Sequence, residues 1–212
     1  MLRSDPDDLW DGHLRWTEVR VNAERADAAR NRAVLIATAR AMLTDVGVEQ
    51  ITMDALAERS GLGKGTVFRR FGTRSGIFMA LLDEGERAFQ ERVLSGPPPL
   101  GPGAEPLDRL VAFGSARLRF LRENREIARA ALDGRTPVPF GPPAMVTQQH
   151  LRMLLQQAGI DAADLGVLAL QLTAALDVPL LLYAPRAGEH AAEAFEERLA
   201  HGWKDLVERL CR

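Results

Sequence analysis

Cysteine is nearly absent: Cys211 is the only one in 212 residues. That excludes a disulfide within the chain and a thiolate metal site. Aromatic residues make up 6% of the sequence. Lysine occurs only at Lys64 and Lys204, so arginine carries nearly all the positive charge, a skew that fits the coding bias of a GC-rich genome. No stretch alternates polar and apolar residues for long enough to form a strand. The first sixteen residues, MLRSDPDDLWDGHLRW, are acidic and lack the apolar run of a signal peptide, which points to a cytoplasmic protein. One run, Leu165 to Tyr183, is mostly apolar and approaches the length of a membrane span. Asp177 near its middle would cost about 2.5–3.5 kcal/mol on insertion scales, with Gln171, Thr173 and Pro179 adding to that. Burial in a core and a subunit interface is the better expectation, and no membrane partner is predicted.

Catalytic constellations are also missing. His13, His150, His190 and His201 are scattered. Glu189, His190, Glu193, Glu197 and His201 fall on successive turns of one helix, but their spacing matches neither HExxH nor the ExxH pair of carboxylate-bridged bundles. A solvated charged face accounts for them. No serine or cysteine sits in a nucleophile elbow, and no glycine-rich loop follows a strand. The run GLGKGT resembles a phosphate-binding loop, yet Gly65 follows Lys64 where Ser or Thr is needed, and Glu58 stands where the first Gly belongs. No enzyme activity, metal or cofactor is expected.

What the chain does have is concentrated between Thr52 and Phe71, TMDALAERSGLGKGTVFRRF. It reads as two short helices joined by the turn Ser60, Gly61, Leu62. Ala57 is small, as a close helix crossing requires, and Gly61 suits a turn position with φ > 0. Leu56, Leu62 and Val67 are the apolar pins between the two helices, and Val67 and Phe71 read as core. Gly63, Lys64, Gly65 and Thr66 put small or basic groups at the exposed start of the second helix, the end that meets bases and phosphates in a major groove. Net charge supports this. The whole chain carries −2, whereas residues 20–80 carry +4, as phosphate neutralisation requires.

The segment RNRAVLIATARAMLTDVGVEQITMDALAERSGLGKGTVFRRFGTRSGIFMALL, from Arg30 to about Leu82, resembles the amino-terminal domain of TetR-family transcriptional regulators. The pattern is a first helix ending in the turn Asp45, Val46, Gly47, then Thr52 opening the second helix, and a recognition helix closing at Phe71. Two positions depart from it. Phe68 stands where the family usually has a phosphate-contacting Tyr, and Arg74 where it usually has Lys. The resemblance implies phosphate contacts from Thr52 and Arg74. It also implies base or phosphate contacts from Lys64, Gly65, Thr66, Phe68, Arg69 and Arg70.

The expected fold is all-α with about nine helices. Residues 1–24 form an acidic extension, best read as a partly disordered arm in which Trp16 and Val19 could join a short amphipathic helix. Residues 25–72 form the helix-turn-helix domain, whose first helix carries Val34, Ala37, Ala41 and Met42 at helical spacing. Residues 73–212 form a second domain. It starts with a connecting helix over 73–94, capped by Thr73 and carrying Ile77, Phe78, Leu81, Leu82 and Phe89. Breakers at 95–106 and 133–143 frame helices over 107–122, 125–132, 143–158, 164–183 and 190–210.

The resemblance implies an effector pocket among the middle helices and a dimer interface on the last two. Pocket candidates are Phe113, Arg117 and Phe120, then Met145, Gln148, Gln149 and Met153, then Gln171 and Tyr183. Adaptable Met, aromatic faces and isolated amides suit a small, mostly apolar molecule, although the same residues also suit a plain core or surface. Interface candidates are Leu172, Leu176 and Leu180 with Phe195, Leu199, Trp203 and Leu206. The expected protein is a ligand-responsive repressor that binds a palindromic operator as a homodimer. A ligand-independent regulator and a small-molecule-binding bundle with a vestigial DNA module are the alternatives.

Overall fold

The structure, a computed structural model, describes the backbone of residues 8–132, 142–183 and 188–211 and the side chains of residues 25–132, 145–180, 183 and 190–211. Among the described residues there are nine α-helices and no strand. They divide into two compact units, Met1–Ile77 and Phe78–Arg212.

The first unit contains α1 (Asp8–Val46), a single 3-10 turn (Val48–Gln50), α2 (Met53–Ser60) and α3 (Lys64–Phe71). Residues 8–24 continue α1 instead of forming a disordered arm. The side chains of Trp10 and Trp16 lie outside the described residues. The buried face of α1 is Leu35, Ile36, Ala39 and Met42, while Val34, Ala37 and Ala41 are exposed. Of the expected stripe, Met42 faces in and the other three residues do not. An Ala-rich helix offers two neighbouring apolar stripes, and only the partners decide which faces in. Those partners are Ile51, Leu56, Ala57 and Val67, all buried.

Local chemistry fixes the ends. The Thr52 hydroxyl accepts from the Ala55 N–H at 3.1 Å and caps α2. Gly61 ends α2 at φ 70°, the left-handed region its sequence context required. Thr73 accepts from the Gly76 N–H and starts α4 (Arg74–Ser95).

The second unit takes up α4 from Phe78 and adds α5 (Pro106–Glu123), α6 (Arg125–Ala131), α7 (Pro142–Gln157), α8 (Leu165–Val178) and α9 (Gly188–Leu210). Most of the predicted loop 133–143 lies outside the described residues. After Pro179, α8 continues as a π-helical turn to Tyr183. No described helix is long and apolar enough to cross a membrane. Central to the unit is α5, which packs against α7, α8 and α9.

The predicted dimer residues go largely into this core. Leu172, Leu176, Leu180 and Trp203 are buried in it, and Phe195 and Leu199 pack against it. Only Leu206 of that set is exposed. Trp203 shows why: its indole N–H donates to the Leu110 carbonyl at 2.8 Å, and its ring lies over Gly114. A Cβ at Gly114 would fall 2.0 Å from the indole nitrogen, so the α5–α9 crossing is built on the absence of a side chain there.

Trp203→Ala is therefore expected to cost about 3–5 kcal/mol in folding stability, and Gly114→Ala to lower the unfolding midpoint as well. Urea titration followed by circular dichroism checks both. An unchanged Trp203→Ala midpoint combined with subunit dissociation would return this residue to an interface.

Candidate nucleic-acid interface and effector domain

The exposed face of α3 is made of Gly63 at its cap, then Lys64, Gly65, Phe68, Arg69 and Arg70, with Thr66 half-buried and Val67 fully buried beneath. Phe71, expected in the core, is half-buried. A short helix with one buried residue on this side leaves the rest of its surface for another body. The two glycines sharpen the point. A Cβ added at Gly63 or Gly65 would meet nothing within 4 Å. Packing within the chain therefore does not require glycine at either position, and Gly65 weakens the helix by about 1 kcal/mol relative to Ala. Close approach of something from outside is a reason to keep it. Phe68, 51% exposed, offers an apolar ring that can rest on a sugar or a thymine methyl.

The cations are held in different ways. Lys64 Nζ lies 2.8 Å from Asp54 of α2, both side chains well exposed, an ion pair weak enough to exchange for a phosphate. Arg69 reaches back toward the Thr66 hydroxyl at 3.4 Å. Arg70 donates to the Ala28 carbonyl at 2.6 Å and so ties α3 to α1. Asp27, Ala28, Asn31, Leu35, Thr66, Arg69 and Arg70 together line a cleft between those two helices. Asn31 and Asp54 are contributions to this surface that the sequence pattern did not single out, because both depend on which helix faces which.

Arg74 is held by the backbone of the first unit. Its guanidinium donates to the carbonyls of Ile51 and Val48, each at 2.7 Å, and it lies 3.9 Å from Glu49. It therefore clasps the turn before α2 to the start of α4. That is a positioning role.

In the second unit the predicted pocket residues are not brought together. Met145, Met153 and Tyr183 are exposed at 61%, 37% and 73%. Gln149 and Gln171 are exposed as well, and Gln148 donates to the Gly166 carbonyl. Phe113 and Phe120 do face inward, both against Phe89, at centroid distances of 5.6 and 5.5 Å. Arg117 is buried between two carboxylates. It donates to Glu86 at 2.6 Å and to both Asp177 oxygens at 2.9 and 3.0 Å, and Thr147 approaches Glu86 at 3.4 Å. Burial opposes its charge, but Asp177 and then Glu86 outweigh it and raise its pKa. With those donors engaged it is a structural centre of the second unit.

His150 is a further buried group that the pattern left unassigned. Burial first, and the charge of Arg109 second, push its imidazole down to about 4, so it is neutral near pH 7. Its ring centroid sits 5.4 Å from that of Phe113, and its Nε2 has no hydrogen-bond partner among the described residues.

This geometry defines a helix-turn-helix unit followed in the chain by a helical second unit. Residues 35–81 match the family model described as bacterial regulatory proteins, tetR family. Solved structures with the same fold include a TetR/AcrR-family regulator from Thermobifida fusca, at 16% identity and TM-score 0.58, covering 82% of this chain and 96% of that one. A transcriptional regulator from Rhodococcus sp. RHA1 gives 21% identity and TM-score 0.56, covering 86% and 95%. AibR, crystallised with isovaleryl coenzyme A and operator DNA, gives 20% identity and TM-score 0.52, covering 84% and 97%. No curated protein matches the sequence.

Gly65→Ala separates the two uses of α3. It should stabilise the fold by up to about 1 kcal/mol while weakening binding to specific DNA. Thermal melting and a DNA titration on the same variant check this; unchanged DNA affinity would remove the close-approach argument.

Proposed function

We propose that this protein is a ligand-responsive repressor that binds an approximately palindromic operator as a homodimer and releases it when a small, mostly apolar effector enters the second unit. The observation that carries the DNA half is the exposed start of α3, where Lys64 is flanked by glycines that no internal packing demands. Lys64, Gly65, Thr66, Phe68 and Arg69 face the groove, Thr52 and Arg70 set the register near the backbone, and Arg74 positions the whole motif. No catalytic step is assigned, and the protein acts in the cytoplasm.

Support for the dimer comes from α8. Its inward face is Ala169, Leu172, Leu176 and, in the next turn, Leu180. On its other side Val167, Leu170 and Val178 are 49%, 41% and 40% exposed. With Ala174 also exposed between them, they form an apolar stripe at spacings of three and four. A second copy of the same stripe would cover it by two-fold symmetry. Two recognition helices would then sit about one turn of DNA apart.

Coupling to an effector would run through α4. The helix starts at the Arg74 clasp and continues to Glu86 and Phe89 in the second unit without a break. An effector that favours one placement of α4 shifts operator affinity by its differential binding, typically about 1–3 kcal/mol. The fold is shared with AibR, which has been crystallised with both an acyl coenzyme A and operator DNA. A second reading, a ligand-independent regulator whose second unit only dimerises, is favoured by the tightness of that interior. The cavity beside Phe113 and His150 has room for about one water.

DNA from upstream of the protein's own gene, titrated by fluorescence anisotropy against a scrambled duplex, tests the operator reading. Specific binding should be at least ~1000-fold tighter. Leu170→Glu should convert a dimer to a monomer in sedimentation velocity and weaken operator binding by about 10²–10⁴ through loss of the paired contact. A Leu170→Glu variant that sediments as the wild type would rule out the α8 stripe as the interface.

A further inference from the structure

Among the described residues α3 makes one ion pair. Lys64 Nζ lies 2.8 Å from Asp54, and both side chains are 68% exposed. The other two cations of the helix have neutral partners: Arg69 reaches the Thr66 hydroxyl and Arg70 the Ala28 carbonyl. Asp54 belongs to the first turn of α2, where an acid suits the positive end of the helix. That accounts for a carboxylate in this turn and not for one within reach of α3. The frame beneath the pair is fixed, since Leu56 of α2 and Val67 of α3 are fully buried and Gly61 sets the turn between them. An exposed ion pair adds little to the stability of such a frame.

On a surface that meets DNA the pair has a consequence. Held by Asp54, Lys64 offers no net charge to a phosphate, and a carboxylate beside a polyanion is repelled. When Lys64 exchanges Asp54 for an acceptor on DNA, Asp54 is left without a counter-charge. Relief requires a donor, and the major groove offers one on cytosine N4 and one on adenine N6. A G·C pair satisfies both heads at once. Guanine N7 and O6 are acceptors for an ammonium with three donors, and N4 of the paired cytosine stands directly beside O6. On A·T the donor N6 stands between the acceptors N7 and O4, so the ammonium takes one or the other. Gly63 and Gly65, on either side of Lys64, raise no side chain around the ammonium and leave room for the flat edge of a base pair.

We propose that Asp54 is a specificity-determining residue, and that with Lys64 it reads one G·C pair in each half-site, Lys64 on guanine O6 and N7 and Asp54 on cytosine N4. This rests on reading α3 as the DNA-facing helix, and it names one base pair of the target. Asp54 acts in two ways. On the correct base pair it accepts a hydrogen bond, and on every other sequence it withholds Lys64 from phosphates. Both effects widen the gap between specific and non-specific affinity, which is what specificity measures.

The test uses the full chain and a random-sequence duplex library, selected in parallel by the wild type, Asp54→Ala and Asp54→Asn. The position at which the selections diverge is then rebuilt with each of the four base pairs and titrated by fluorescence anisotropy. The wild type should prefer G·C there by about ten-fold, within the range of one good base contact. Asp54→Ala should lose that preference and bind scrambled DNA more tightly. Its salt slope should steepen by up to about 0.9, as Lys64 becomes free for a phosphate. Asp54→Asn keeps the size of the side chain and reports even if Asp54→Ala fails to fold. It should move the preference at the same position toward A·T, because an amide suits adenine. Selections that do not diverge, a wild-type preference for A·T at that position, or an unchanged salt slope would overturn the proposal. A wild type that selects no sequence brings down the DNA reading together with it. A wild type that selects a sequence, with variants that select the same one, brings down this assignment alone.

Discussion

The second unit is organised around one buried charge. Arg117 takes Glu86 from α4 on one side and Asp177 from α8 on the other, and Thr147 of α7 reaches the same Glu86. The rings of Phe89 and Phe120 stand 5.8 and 5.4 Å from its guanidinium. Removing these charges from water is costly, and a well-packed apolar replacement of such a group is often no less stable. What the arrangement does enforce is pairing. Only one mutual placement of α4, α5 and α8 satisfies all three charged groups. The apolar contacts around them then close the core: Leu110, Phe113 and Leu118 on α5, Leu151 and Leu154 on α7, Leu172 and Leu176 on α8.

The same logic separates what was legible in the sequence from what was not. Local signals were read well. Gly61 adopts the left-handed turn its position demanded, Thr52 and Thr73 cap the helices they precede, and the helices after residue 106 begin and end within a few residues of their breakers. These features depend on neighbours in sequence. Features that depend on distant partners were misread. On α1 the buried stripe is Leu35, Ile36, Ala39 and Met42, because an Ala-rich helix does not say which of two adjacent faces finds Leu56. An almost wholly apolar α8 likewise hid which side was core, so Leu172 and Leu176 were assigned to an interface.

The polar interior shows the limit most clearly. Asp177 lies 60 residues from Arg117, and Glu86 lies 31 residues away in the other direction. No periodicity reveals such a triad. Nor does it reveal that Arg109, on the same helix, is buried with its Nε unpartnered among the described residues. A motif search treats both as arginines on an amphipathic helix. The difference appears only once burial and partners are known.

The first unit displays cations and small residues on a short helix, and the second carries an exposed apolar stripe on α8. The most direct measurement of the central claim, sequence-specific DNA reading by a symmetric pair of α3 helices, is selection of bound duplexes from a random-sequence library by the full-length protein. The account predicts enrichment of a two-fold symmetric sequence whose half-sites lie about one helical turn apart. Persistent recovery of unrelated sequences with no shared symmetry would contradict it.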